Sequence, residues 1–585
     1  MKLLNSRHSI TLMFEKRRSH LLVFVAVLVT MAGYSQDFHV STTGDDTADG
    51  SQATPWESIQ YAMDNATAGS TVYVHGGTYN ERLYVNVSGE EDAYITFRNW
   101  ETDQVIIDGE GTTDPALIEA YNVHHIIIDG FILRNNFQAD AMGVLVEGAC
   151  DHITLRNLEV YDIGFTDDPT AFPTEENNAQ PIIVYGSDSN HTITDLAIID
   201  CEIHHCILGY SEALAVNGNV EGFEVSDNEI YMVTNIGIDI IGHEGVCEDP
   251  ALDQARQGLV SGNTVYDFSS PYATAAGIYV DGGNQIIVER NEVYAGEWGI
   301  EVGCENVGKS ASEIIVRSNF IHGNRDAGIA VGGYDYPNGS GKVTDLVVAY
   351  NSVYRNGMLV PYNGEIYFTY IENGVVTENI VYVDNGGTIL LAADGPASQS
   401  LLIDNNLFFS ADVENNNVFF WYVGGYQGTG AFNNGTGNCS NCPFGDPKFV
   451  ATGNNPDLHL QSDSPALDQG MISEYVGTVD FDGEDRISGI APDFGADEFG
   501  SSIGVSDQQS LAFALYPNPS ADSFSLLGWG SERVQLEIYD MVGGLVKQVQ
   551  TMTNTPVDVR DLAKGSYVVV YRVGRAETSI TFIRN

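Results

Sequence analysis

Between residues 228 and 335 one pattern of apolar and polar positions returns four times. Gly237-Ile238-Asp239-Ile240, Gly277-Ile278-Tyr279-Val280, Gly299-Ile300-Glu301-Val302 and Gly328-Ile329-Ala330-Val331 each read glycine, aliphatic, variable residue, aliphatic. Alternation with period two predicts a short strand with its aliphatics on a core and its variable residue facing out. An asparagine phrase precedes each strand: Asn228-Glu229-Ile230-Tyr231, Asn263-Thr264-Val265-Tyr266, Asn291-Glu292-Val293-Tyr294 and Asn319-Phe320-Ile321-His322. A fixed order of strands at a fixed spacing predicts coils stacked into a solenoid.

The asparagine phrase extends over most of the chain. It falls at Asn157, Asn228, Asn263, Asn291, Asn319, Asn351, Asn379 and Asn405, with Asp129 and Asp200 standing in twice. The recurring interval of 28 residues is one coil, and longer intervals carry loop insertions. Asparagine tolerates a left-handed bend, and its amide can bond to the asparagine of the next coil. The pattern therefore predicts a structural ladder. Insertions precede the glycine strand at 163–180, 267–276 and 355–363, and follow it at 243–258, 303–312 and 334–342. Loops on both sides of one stacked strand predict a groove with that strand as floor, the default binding site.

The two ends differ from the middle. Residues 37–110 read as strand, polar loop, a helix at 56–64 and two strands, with the helix closing the first coil. Ser41 to Gly44, Gly50-Ser51, Pro55-Trp56, Ser58-Ile59-Gln60, Ala62 and Gly77-Thr78-Tyr79 carry a resemblance. This opening resembles that of the secreted right-handed parallel β-helix proteins of the pectate-lyase-like superfamily, which implies the fold and leaves the activity open. Periodicity fades over 438–500, which resembles the closing segment of such proteins and is expected to cap the helix. Residues 501–510 read as a linker. In 511–585, Tyr516–Ser520, 536–546 and 561–570 resemble the type A C-terminal sorting domain of the type IX secretion system of Bacteroidota. That implies contact with the secretion machinery and release to the outer surface or the medium. The expected fold class is all-β, a right-handed parallel β-helix over 36–437 followed by its cap and a small β-sandwich-like sorting domain.

Composition and charge narrow the function. The formal charge of −55, from 25 Lys+Arg against 80 Asp+Glu, excludes a nucleic-acid partner and an anionic membrane surface. Residues 1–35 have the basic region, short apolar run and small residues of a secretory signal. Seven cysteines permit disulfides. Cys439 and Cys442 form an isolated CxxC, expected as a local disulfide or two free thiols, and the other five cannot be paired from sequence. His243-Glu244 lacks the second histidine of a zinc-protease motif, and His204-His205 reads as a coil-turn pair.

The outward positions of the glycine strands carry the chemistry. Asp239, Tyr279 and Glu301 stand two residues after the glycine, and Asp281 stands four after. With coils about 4.8 Å apart, Asp239 to Asp281 and Asp281 to Glu301 are each about 8 Å between backbones. Inverting glycoside hydrolysis holds an acid and a base about 6.5–9.5 Å apart. The catalytic set expected is Asp239, Asp281 and Glu301, with Asp281 as acid and Asp239 or Glu301 as base. Tyr279, His243, Glu305, Lys309, Arg256 and Tyr334 are candidates for substrate binding, and Trp298, Tyr336 and Tyr362 for stacking on sugar rings. Glu244 and Asp335 are candidate metal ligands, with Ca²⁺ the cation implied by clustered carboxylates. Three functions follow: a polysaccharide hydrolase acting as a monomer, a calcium-dependent uronate lyase using Lys309 or Arg256 as base, and a glycan-binding surface protein without activity.

Overall fold

One coil shows how the chain folds. Asn284–Glu289 forms a strand, the backbone turns at Arg290 and Asn291, Glu292–Tyr294 forms a second strand, and Trp298–Gly303 a third. Each pairs in parallel with its counterpart one coil on: Ile287 with Ile315, Val293 with Ile321, Ile300 with Ile329. The aliphatics of all three strands point inward and are fully buried, forming one continuous core from Phe38 to Phe432. The protein is seen here as a computed structural model. It describes residues 37–500 apart from 175–176, 334, 358–362, 384–386, 393–397, 411–418 and 422–423. It also describes 514–584 apart from 517–519, 521–522, 528–532, 541–543, 553–554 and 574–575. The expected signal segment 1–35, the expected linker 501–510, Tyr334 and Tyr362 lie outside the described residues.

Among the described residues, the first strand of each coil belongs to a sheet of 14 strands and the other two to a sheet of 23. The larger sheet turns a corner inside the long strands Glu202–Gly218 and Glu229–Ile241. The third strands carry the glycine phrase and stack in parallel from coil to coil, which is the surface expected to form the floor of a groove.

The asparagine ladder exists, with a correction of one residue at its ends. Asn228 donates its side-chain amide to Asn263 Oδ1, and the same bond runs on through Asn291, Asn319, Asn351 and Asn379 at 2.8–3.0 Å. The last rung is Asn406, not Asn405. Asn405 is the left-handed residue just before it, with φ of 50°. Asn157 and Asp200 are likewise left-handed, and Leu158 and Cys201 occupy the inner position. In the ladder proper the residue before the asparagine takes the bend: Asp227, Gly262, Arg290, Ser318 and Tyr350 all have positive φ. The asparagine is selected for its buried amide and not for its backbone.

The N-terminal helix runs Ile59–Asn65, with Ser58 accepting the Tyr61 N–H and Ile59, Ala62 and Met63 buried. A second helix, Gly428–Thr436, was not expected, because its sequence GTGAFNNGT carries one large apolar residue. That residue, Phe432, stacks on Phe419 of the last parallel strand at 4.9 Å, so this helix covers the end of the core. Segment 438–500 has a different place from the one expected. Phe449, Leu458, Leu460 and Phe494 pack with Phe320, Tyr354, Ile380 and Leu407, so it returns along the flank of the asparagine column. Cys439 and Cys442 are disulfide-bonded, and Cys150, Cys201, Cys206, Cys247 and Cys304 are buried free thiols. In the C-terminal module, antiparallel sheets of three and four strands enclose a core that includes Phe524, Leu536, Val569 and Phe582.

Candidate active site

Strand register places the outward residues of the floor in rows. Ala215 pairs with Asp239, Asp239 with Tyr279, Tyr279 with Glu301, and Glu301 with Ala330. Asp281 pairs with Gly303 in the adjacent row. Asp239 and Glu301 therefore lie two strands apart, about 9–10 Å between backbones, with Tyr279 between them. Upstream the floor is apolar, where Ile183, Ala215 and Ile241 cluster with Met142, Leu145 and Tyr185. Downstream the row continues through Ala330 to Tyr367, whose ring lies 5.4 Å from that of Trp298.

Tyr279 fits because Gly303 has no side chain. A Cβ there would come 2.8 Å from the Tyr279 hydroxyl and 2.8 Å from Gly332 O. The hydroxyl thus reaches the position that pairs with Asp281. Two loops complete the wall. Buried Asp253 accepts the N–H groups of Gly245 at 2.6 Å and Cys247 at 2.9 Å, which fixes the loop carrying His243 and Glu244. Glu305 donates its backbone N–H to Asp281 Oδ1 at 2.7 Å, and the Asn306 amide donates to Glu244 Oε1.

The carboxyls are crowded and poorly solvated. Asp239 and Asp281 are 3 % and 4 % exposed, and Asp239 Oδ1 has no hydrogen-bond partner among the described residues. Burial, then Glu212, Asp281, Glu305 and Glu301, pushes the Asp239 carboxyl well above its usual range. Burial and then Glu305 raise Asp281 in the same way, against the pull of the Glu305 N–H. Half-buried Glu301 is raised to about 7 by desolvation and then by Glu305. Glu305, exposed at the rim, is raised by desolvation and Glu244. Like charges in low dielectric favour the protonated form. The site thus sets carboxyls of raised proton affinity beside one raised to about 7, an arrangement suited to general acid–base chemistry.

Glu212 was missed. It belongs to the same crowd, where burial, Glu305 and Glu244 raise it against a hydrogen bond from Gln180. It stands one residue before Ala213, which fills the glycine position of its coil, and the search read only positions after that residue. Tyr367 was missed because Ile366–Phe368 lacks the glycine phrase.

His243 is half-buried, held neutral by burial and by Lys309, and packs over Gly282. The Lys309 ammonium has no ion-pair or hydrogen-bond partner among the described residues. Arg256 does not join the site. It lies on the 14-strand sheet, where Glu221 takes its Nε at 2.8 Å and Asn219 its NH2 at 3.1 Å, because the chain has already turned the corner behind the groove. Asp335 is exposed in the loop after Val331, and its carboxylate has no hydrogen-bond or ion-pair partner among the described residues. Neither Glu244 nor Asp335 belongs to a group of three ligand atoms within 4.8 Å among the described residues. Among the described residues, the groups of three ligand atoms within 4.8 Å are His124, His125 and Asp151, and His459, Asp482 and Asp497.

Comparison with known proteins agrees with this architecture. The chain is 32 % identical over 450 residues to the uncharacterized protein YwoF of Bacillus subtilis, covering 74 % of this chain and 92 % of that one. Residues 38–197 match the Pel9A-like right-handed β-helix region and 251–441 the right-handed β-helix region. The chain belongs to the pectate-lyase-like right-handed β-helix family. A stretch of 90 residues is 42 % identical to pectate lyase PEL9 of Emericella nidulans, covering 15 % of this chain and 22 % of that one. Two solved structures resemble this β-helix protein. XylC in complex with xylose has 12 % identity and a TM-score of 0.45, covering 78 % of this chain and 98 % of that one. Pectate lyase Pel9A has 15 % identity and a TM-score of 0.40, covering 80 % and 97 %. Residues 514–585 match the secretion system C-terminal sorting domain, which directs this family member to the cell surface or the extracellular space. Among the described residues no helix is long and apolar enough to cross a membrane.

Proposed function

We propose that the protein cleaves glycosidic bonds of a polysaccharide in the floor groove by carboxylate acid–base hydrolysis. Asp281 is the acid that protonates the leaving oxygen, and Glu301 is the base that activates water. Asp239 is a second protonated carboxyl beneath the sugar, and Tyr279 orients the ring. The observation that carries this reading is the crowding of these carboxyls on neighbouring floor strands, where burial and then Glu305 raise Glu301 to about 7 and hold Asp281 well above the usual carboxylate range. Their backbone separation, about 8 Å from the register, leaves room for a water as an inverting reaction requires. The Trp298–Tyr367 pair offers an aromatic face for a neighbouring sugar.

A uronate lyase is the second reading. The stretch shared with a pectate lyase favours it, as does Lys309, which lies close enough to His243 to lower its proton affinity and has no ion-pair partner among the described residues. Calcium belongs to that reading, held by carboxylates such as Glu244 and Glu305, and chelation would then lower the melting temperature. Incubation of the purified protein with plant and algal polysaccharides tests both. New reducing ends without ultraviolet absorbance of unsaturated uronates support hydrolysis. Both signals together support the lyase. Binding with neither signal leaves a glycan-binding surface protein.

A further inference from the structure

Away from the groove, four histidines and two aspartates meet on the outer face of the 14-strand sheet. Asp151 pairs in register with His124 on one side and Thr194 on the other. His125, His152 and Asp195 occupy the next position in three consecutive coils, all with left-handed backbone, φ 57°, 54° and 51°. The bulge itself is a feature of the fold, since Gln257, Gln285, Glu313, Asp345 and Asn373 repeat it further along. What distinguishes these three coils is the imidazole and carboxylate chemistry the bulge presents.

The geometry is that of a ligand set. His124 Nδ1 and His125 Nδ1 are 3.1 Å apart, and His125 Nδ1 is 3.9 Å from Asp151 Oδ1. One atom from each of the three residues lies within 4.8 Å of the others, and all three residues are half-buried. A tetrahedral zinc with bonds of 2.0–2.1 Å separates its ligand atoms by about 3.3 Å, so small rotations suffice. The aspartate is oriented from behind, as ligating groups usually are. His152 Nδ1 lies 2.9 Å from Asp151 Oδ1, and its Nε2 lies 3.1 Å from Asp195 Oδ2. His191 Nε2 approaches Asp151 Oδ2 at 3.3 Å without the alignment of a hydrogen bond. The His152 ring stacks on His125 at 4.3 Å, with planes 9° apart, and fixes its tilt.

We propose that His124, His125 and Asp151 bind one divalent transition-metal ion of the zinc class. Two imidazole nitrogens with one carboxylate oxygen suit Zn²⁺ or Co²⁺ and disfavour Ca²⁺, which takes oxygen ligands. The ion ties adjacent coils together at the start of these strands, at the end away from the asparagine turn.

The test uses the full chain without a histidine tag, stripped of metal, titrated with Co²⁺ and followed by visible ligand-field absorption, with Zn²⁺ as competitor. The expected result is one equivalent of Co²⁺ with intense bands, displaced by Zn²⁺. His125→Ala and, separately, His124→Gln each lose that equivalent with folding monitored by circular dichroism, whereas His459→Gln keeps it. Absence of cobalt bands in the wild type overturns the proposal, and so does full stoichiometry in both folded variants.

Discussion

Asp281 accepts the backbone N–H of Glu305 at 2.7 Å, while the Glu305 carboxylate is, after burial, the largest influence raising the Asp281 proton affinity. One residue thus supplies both a bond that favours the charged form and a charge that opposes it. Replacing Glu305 by Gln keeps the first and removes the second. Asp281 then loses its proton at lower pH, and the alkaline limb of the rate profile moves to lower pH. A profile of kcat/KM against pH for Glu305→Gln reads the shift, and an unmoved limb contradicts the role of Asp281 as acid.

Glu301 sets the other limb. Its carboxyl is raised to about 7, so the base form grows as pH rises through that value. The rate is expected to climb through pH 7. Glu301→Gln should cut kcat by about 10²–10⁴-fold and abolish the climb. A variant that keeps the wild-type profile at full rate places the base elsewhere.

Stability carries the same signature with a definite sign. A carboxyl whose folded-state affinity for protons exceeds that of the unfolded chain stabilises the fold at low pH. That contribution is lost as pH rises from the usual carboxylate range through about 7. Glu301→Gln removes the cost of ionisation, so it should raise the melting temperature at pH 8 and leave it unchanged at pH 4. The gain is roughly 1–3 kcal/mol. Equal effects at both values would mean that Glu301 is not held protonated by the fold.

The asparagine ladder is expected to be the costliest polar row to break. Asn291 Oδ1 accepts both the N–H and the amide of Asn263, and its own amide donates to Asn319 Oδ1, Val260 O and Glu289 O. Alanine there strands several buried donors and acceptors, at about 1–3 kcal/mol each. Asn291→Ala should lower the denaturation midpoint clearly, whereas Asn405→Ala, at the bend and outside the ladder, should do so far less.

The glycine strands and asparagine turns were legible because burial constrains every inward residue of a coil, so the pattern repeats in the letters themselves. The register of Asp239, Tyr279 and Glu301 followed from that pattern. Where the letters coincide but the roles differ, reading failed: Asn405 and Asn406 are adjacent, and only the second faces the ladder. The helix at Gly428–Thr436 was hidden because a single phenylalanine anchors it. Arg256 was misplaced because a loop's position in sequence does not say on which side of the corner it ends. Glu212, one residue ahead of the motif, reaches the acids only through a register shift between Ile207 and Glu212 that no local pattern announces.

The most direct test of hydrolysis in the groove is the product itself. A digest of the best substrate is followed from its first minutes by proton NMR, with Asp281→Asn as control. The account predicts a first-formed product with inverted anomeric configuration, no vinyl proton, and no product from the variant. A vinyl proton of an unsaturated uronate in the wild-type digest, or a fully active Asp281→Asn, would contradict it.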